Sequence, residues 1–268
     1  MHFGLLIIGD EILSGKRNDK HLSRAIELLG ARGLSVSYAD YVGDDPDRIT
    51  AALTRAFRSG DVVFSFGGIG ATPDDHTRQC AARALGQPLV LNPQAEALIY
   101  ERMQDVAREQ GLPYEPERED NRHRLNMAVF PQGSQIIPNP YNKIAGFSYP
   151  GAGAGAVHFV PGFPVMAWPM VEWVLDSQYP HLFRHGAHCE QSVIVFGAME
   201  ATLTPLMESI EREYPVKVFS LPSVDHPDYG RHIELGVKGE PAACAVAFAA
   251  LKNGLAPYAV KLGPELVR

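Results

Sequence analysis

Residues 67 to 77 read GGIGATPDDHT, a run that brings glycines, threonines and two adjacent carboxylates together in one short stretch. Glycines lack a Cβ, so they reach backbone angles closed to other residues and leave bare N–H groups against which an anion can lie. Asp74 and Asp75 oppose such a guest, because carboxylates at a helix start repel it. Two kinds of ligand resolve the conflict. A divalent cation can bridge the carboxylates to a diphosphate, or a carboxylate can accept the paired N–H donors of a pterin or purine edge while phosphate is held elsewhere. The plainer alternative is that both aspartates only complement a helix dipole, as acids on many surface helices do. His76 beside them could serve as a general base or simply face solvent.

These groups need a frame. Val62, Val63, Phe64 and Phe66 form a short β-prone apolar run of the kind that fills the middle of a parallel sheet, and the glycines end it. Thr72 at an N-cap, Pro73 at the first helical position and Asp75 at the third predict a helix over 72–85. The same grammar occurs upstream. Phe3 to Ile8 reads as a first strand, followed by a loop that carries Asp10, Glu11 and Lys16, and a helix over 19–32 stops at Gly33. Leu34 to Val42 reads as a second strand ending in Gly43-Asp44-Asp45, and Pro46 opens a helix whose inner face is Ile49, Leu53, Ala56 and Phe57. Three strand–helix alternations, each strand ending in glycine and acid, predict an α/β fold: a three-layer, mostly parallel doubly wound sheet with its ligand side at the strand ends. Residues 111–123 lack periodicity and read as a solvated loop able to act as a lid. Short strands over 134–160 read as a small β-hairpin subdomain, and a helix through Met166 and Met170 closes a first domain of residues 1–180. Residues 188–268 then read as a small α+β module of order β, α, β, β, α.

The chain has 268 residues, a formal charge of −7 and a pI near 5.8, which supplies no basic field for nucleic acid. Its three cysteines, Cys80, Cys189 and Cys244, lie far apart and fit free thiols in a reducing cytoplasm. The apolar start is short and runs directly into Asp10 and Glu11, so neither a secretion signal nor a membrane span is expected. His181, His185, His188 and Cys189 are close in sequence but have no second zinc-like cluster, and read as a solvated linker. Self-association into a homo-oligomer is expected.

GDEILSG at 9–15, VGDD at 42–45, GGIGATPDDHT at 67–77 and PGFP at 161–164 resemble, in order and spacing, the CinA-like family, whose N-terminal domain shares the molybdopterin-binding fold of MogA and MoaB. The following module resembles the KH-like domain of CinA proteins, whereas nothing here resembles their nicotinamide mononucleotide deamidase domain, so that activity is not expected. The resemblance implies a site for a phosphorylated pterin, such as molybdopterin, or for an adenine dinucleotide. It also implies metal-dependent pyrophosphate hydrolysis of ADP-ribose or FAD as the activity, with a non-catalytic molybdopterin-binding or cofactor-accessory role as the alternative. Carried over by position, Asp74, Asp75 and Glu11 would be catalytic. Asp74, Asp75 and Asp10 would hold magnesium, manganese or a similar ion. Gly9, Asp10, Asp44, Gly67, Gly68, Gly70, Thr72, Thr77, Asn142, Lys143 and Gly162 would line the ligand. The chain departs from the family at four places: Ala71 replaces a proline, Asn142-Lys143-Ile144-Ala145-Gly146 replaces Gly-Thr-Ala-Pro-Gly, Met166 stands where the family has a glutamate, and the family's Asn-Arg-Lys-Gln-Ala segment is poorly kept around Arg124 to Ala128. These departures predict that binding is kept better than catalysis.

Overall fold

A computed structural model describes residues 1–183 and 189–267. His185 and His188 of the histidine-rich linker lie outside the described residues. The chain forms two compact units, Met1–Phe183 and Arg184–Arg268.

In the first unit, strands β1 (Phe3–Ile8), β2 (Val36–Val42) and β3 (Val62–Phe66) alternate with helices α1 (Asp10–Leu13), α2 (His21–Gly30) and α3 (Pro46–Ser59). Every residue of β1 and β3 is buried, which is why both, apart from Ser65, read as apolar runs rather than alternating ones. Then follow α4 (Thr77–Leu85), β4 (Leu89–Leu91), α5 (Pro93–Gln110), α6 (Glu119–Arg124), β5 (Val129–Pro131), β6 (Gln135–Ile137), β7 (Gly146–Pro150), β8 (Ala156–Val160) and α7 (Pro164–Gln178). The main sheet has the order β2-β1-β3-β8-β7-β6. The first four strands are parallel, and β7 runs antiparallel to both of its neighbours. One face packs Leu5, Ile7, Val62 and Phe64 against α2 and α7 through Leu28, Leu29, Val171 and Val174. The other packs Leu6, Val63 and Phe159 against α3, α4 and α5 through Ile49, Leu53, Ala81 and Ile99. Burying each of these larger side chains stabilises the fold by about 1.5–3 kcal/mol. This is the three-layer arrangement expected.

Local expectations change in four places. The 134–160 segment is no separate hairpin: β8 is a central strand beside β3, because Val157, Phe159 and Val160 are fully buried and need cover on both faces. Strands β4 and β5 form a detached two-stranded sheet. The helix expected from Thr72 begins at Thr77 instead. Asp75 N–H donates to the Thr72 carbonyl at 3.0 Å and Asp75 Oδ2 accepts from the Thr72 N–H at 2.8 Å, so the capping pattern closes a turn rather than opening a helix. The 111–123 stretch includes the start of α6, whose Asn121 is buried and donates to the Glu115 carbonyl at 2.7 Å. Finally, Asp10 and Glu11 lie in the short helix α1 rather than in an open loop.

The second unit comprises β9 (Cys189–Phe196), α8 (Glu200–Glu213), β10 (Val216–His226), β11 (Gly230–Gly239), α9 (Pro241–Gly254) and β12 (Lys261–Val267). The expected β-α-β-β-α order is present and continues into a fourth strand. The antiparallel sheet has the order β10-β11-β9-β12, the split βαβ topology, with both helices on one face over Val193, Val195, Leu235 and Val237.

Candidate functional site

From β1 the chain crosses to β2 on one side, and β3 pairs on the other, so the carboxyl ends of β1 and β3 flank the point where strand order reverses. Ile7 is opposite Phe66 there, which brings Gly9-Asp10-Glu11 beside Gly67-Gly68. Gly67 and Gly68 have φ of 97° and 68°, in the left-handed region. A Cβ on Gly67 would stand 2.5 Å from the Ile8 carbonyl oxygen, and one on Gly68 would run into Thr77 Oγ1. Thr77 fastens the turn from the helix side. Its N–H donates to the Gly68 carbonyl at 3.0 Å and its hydroxyl to the Gly67 carbonyl at 3.1 Å, while Gly67 N–H reaches the Val160 carbonyl at 3.0 Å. Gly162 lies against Gly67, since a Cβ on it would be 3.5 Å from Gly67 Cα.

The acids gather around this turn in two groups. Asp10 N–H donates to Asp44 Oδ2 at 2.9 Å and Asp44 N–H returns a bond to Asp10 Oδ1 at 3.1 Å, so the ends of β1 and β2 are tied reciprocally. Burial raises the Asp44 pKa, the Asp10 N–H offsets part of that, and the charges of Asp10, Glu11 and Asp74 raise it further. Asp44, Asp10, Glu11 and Asp74 therefore share one electrostatic neighbourhood. Asp74 itself is exposed, and hydrogen bonding with Thr72 and its own N–H, with His76 nearby, keeps its carboxyl below the usual range. Asp75 belongs to the other group. Its Oδ2 also accepts the Thr72 hydroxyl at 2.6 Å, so this oxygen is engaged by the turn. Among the described residues no three His, Cys, Asp or Glu side chains converge as ligands of one ion. Asp10, Asp44 and Asp75 each spend one carboxylate oxygen on a backbone N–H.

The remaining predicted residues are held by other partners. Lys143, in the left-handed region at φ 64°, pairs with Asp105 at 2.7 Å and Glu101 at 3.3 Å on α5, and these acids raise its pKa. Its ammonium is thus turned to α5. Asn142 Oδ1 accepts from Asn139 Nδ2 at 2.8 Å and from the Ile144 N–H at 3.0 Å, while its Nδ2 donates to Met166 Sδ at 3.2 Å. Two of the departures from the family pattern, at 142 and 166, therefore touch each other. Phe163, next to Gly162, is exposed at the N-cap of α7.

One residue gains importance that its sequence context did not suggest. His21 is buried, stacks on Phe66 with centroids 4.3 Å apart, and its Nε2 lies 3.0 Å from the Gly162 carbonyl; burial lowers its pKa. Arg78, which from its place in the sequence could reach a ligand phosphate or be an ordinary exposed charge, is 4% exposed and donates to the Gly70 carbonyl at 2.5 Å and to the Asn126 carbonyl.

A model of the probable molybdopterin binding domain matches residues 4–181. The chain belongs to that molybdopterin-binding domain family. It is similar to a CinA-like protein of Geobacter metallireducens, 30% identical over 270 residues, which covers 100% of this chain and 61% of the relative. It is also similar to a CinA-like protein of Anaeromyxobacter dehalogenans, 34% identical over 183 residues, 68% of this chain and 41% of that one. The chain thus spans about half the length of the curated relatives it matches. Among solved structures, the protein CinA with unknown function from Thermoplasma acidophilum aligns at a TM-score of 0.54 and 27% identity, over 65% of this chain and 96% of that one. The CinA-like resemblance read from the motifs is shown by these matches. Among the described residues, no helix is long and apolar enough to cross a membrane.

Proposed function

We propose that the first unit binds a phosphorylated pterin or an adenine nucleotide at the carboxyl ends of β1 and β3, with the ring edge against the carboxylates. The carrying observation is the reciprocal bonding of Asp10 and Asp44 beside a glycine turn at the point where strand order reverses, with the charges of Glu11 and Asp74 acting on Asp44 through space. Ionised carboxylates are acceptors only, and a pterin or purine edge offers the paired N–H donors that they lack. Membership of the molybdopterin-binding domain family supports the pterin. Replacing Asp44 by Asn keeps an oxygen for the Asp10 N–H but exchanges an acceptor for a donor. Titration calorimetry of molybdopterin, ADP-ribose and FAD against the wild type and Asp44→Asn tests this. A tenfold or greater loss of affinity is the expected order, from one charge-assisted bond of about 1.5–3 kcal/mol. Equal binding by both proteins would remove the site.

Burial raises Asp44 most and the charges of Asp10, Glu11 and Asp74 add to it, and that repulsion also favours a second reading, metal-dependent pyrophosphate hydrolysis of ADP-ribose or FAD. A magnesium or manganese ion would relieve that repulsion, taking the ligands this chain does not supply from the diphosphate and water, as magnesium commonly does. Bound there it would polarise the diphosphate. Incubation with each dinucleotide and each ion, with AMP release as the readout, separates the two readings. No AMP under any ion leaves the binding role.

A further inference from the structure

A polar cleft of about 480 Å³ lies beside the glycine turn, lined among others by Thr72, Asp75, His76, Arg78, Gln79 and Asn126. Its least expected lining group is Arg78. The side chain is 4% exposed, two of its nitrogens hold the Gly70 and Asn126 carbonyls, and its Nε–H has no hydrogen-bond partner among the described residues. No carboxylate lies within ion-pair distance of it among the described residues. Asp75 acts on it only through space, with Oδ2 already engaged by Thr72. A guanidinium does not lose its proton, so a buried one without a counter-ion is a charge that awaits a partner. A second observation points the same way. Helix α4 begins at Thr77 with no side-chain cap, and its first residues, Arg78 and Gln79, line the same cleft. Uncapped N–H groups and the positive end of the dipole favour an anion there.

We propose that this cleft receives the anionic group of the ligand, a phosphate, against the Arg78 guanidinium and the first turn of α4. The assignment rests on the ligand reading above. It answers the conflict in the sequence: the carboxylates around Asp44 meet the ring, and the phosphate is held on the opposite-signed ground next to them. Asp75 is the one carboxylate lining the cleft, and its bonds from Thr72 moderate its repulsion.

The test is a titration of the full chain, followed by ¹H–¹⁵N spectra that include the arginine Nε–H signals, in buffer free of divalent ions. Inorganic phosphate should shift the Arg78 Nε–H and the Arg78 and Gln79 amides saturably. AMP should shift these together with the Gly67 and Gly68 amides, and adenosine only the glycines. Gln79 is exposed, so Gln79→Glu should fold normally and weaken phosphate binding by about tenfold, because a carboxylate then faces the guest at close range. Phosphate and AMP that leave the Arg78 and Gln79 signals in place overturn the proposal, even where the glycine amides respond. Phosphate that shifts Arg78 while adenosine and pterins leave Gly67 and Gly68 unmoved upholds the anion site and removes the ring site instead.

Discussion

Replacing Gly67 by Ala tests whether the glycine turn is demanded by the protein's own chain. Gly67 sits at φ 97°, and its added methyl carbon would stand 2.5 Å from the Ile8 carbonyl oxygen, at the end of a strand paired on both sides. Gly153 is the control: it has φ 59° and nothing within 4 Å of an added Cβ. Both substitutions cost about 1–2 kcal/mol for a left-handed L-residue. Both also gain about 0.4–1 kcal/mol from the stiffer unfolded chain, so these parts cancel between them. What remains is the collision with a backbone atom that cannot swing aside, about 1–3 kcal/mol on the scale of overpacked interiors. At about 2–4 °C per kcal/mol for a unit of this size, a central value of about 2 kcal/mol puts Gly67→Ala about 4–8 °C below Gly153→Ala. Scanning calorimetry of the transition of the first unit reads that difference directly. Equal melting temperatures would show that Ile8 and Gly67 move apart at little cost, and that the turn is not fixed by this contact.

Three further outcomes follow from the same geometry. His158 is fully buried between Ser148 and Tyr179, at 2.7 and 2.8 Å, and burial pushes its pKa down to about 3. Because the folded value lies below the unfolded one, its contribution is complete above about pH 6.5 and lost toward pH 3, with a limiting slope near 1.4 kcal/mol per pH unit. Urea unfolding at stepped pH checks the slope, and an imidazole seen by NMR to protonate near pH 6.5 in the folded protein would refute it. Lys143→Ala should leave ligand affinity unchanged while releasing the 139–144 loop from α5, because the ammonium pairs with Asp105 and Glu101; calorimetric loss of ligand binding would return Lys143 to the site. Asp75→Ala removes the acceptor of the Thr72 N–H and hydroxyl and should destabilise the turn by about 1 kcal/mol, read as faster amide exchange over Thr77 to Cys80. Unchanged exchange there would mean that Thr77 alone holds the start of α4.

The parallel core was legible because its signal is local. Phe3 to Ile8 and Val62 to Phe66 are apolar but for Ser65, and the inner face of α3 repeats at helical spacing through Ile49, Leu53, Ala56 and Phe57, all buried. The start of α4 was misread for an equally local reason. Thr72 to Asp75 satisfies the pattern of a helix cap, yet the same bonds close a free-standing turn, and what sets the helix start is the bond from Thr77 N–H to the Gly68 carbonyl. Strand β12 escaped because Gly263 and Pro264 interrupt it, although Lys261 and Leu262 still pair with β9 on one side of the break and Glu265, Leu266 and Val267 on the other. The acids that pair with Lys143 and the Asn126 carbonyl that holds Arg78 are remote along the chain, so these contacts are written in the tertiary fold alone.

The acids and the arginine also explain each other. A phosphate placed at the glycines alone would lie in the field of Asp44, Asp10, Glu11 and Asp74, while the glycines themselves are already required by Ile8, Thr77 and Asp75. Their lack of side chains is therefore no evidence that a phosphate lies on them. The nearby group whose charge is unmet is Arg78, and it is joined to the turn through the Gly70 carbonyl. A ligand carrying both N–H donors and a phosphate satisfies the two halves together, whereas either half alone satisfies one. Affinity should then rise more than additively from adenosine and inorganic phosphate to AMP or a phosphorylated pterin, since the second contact is made without a second loss of translational freedom.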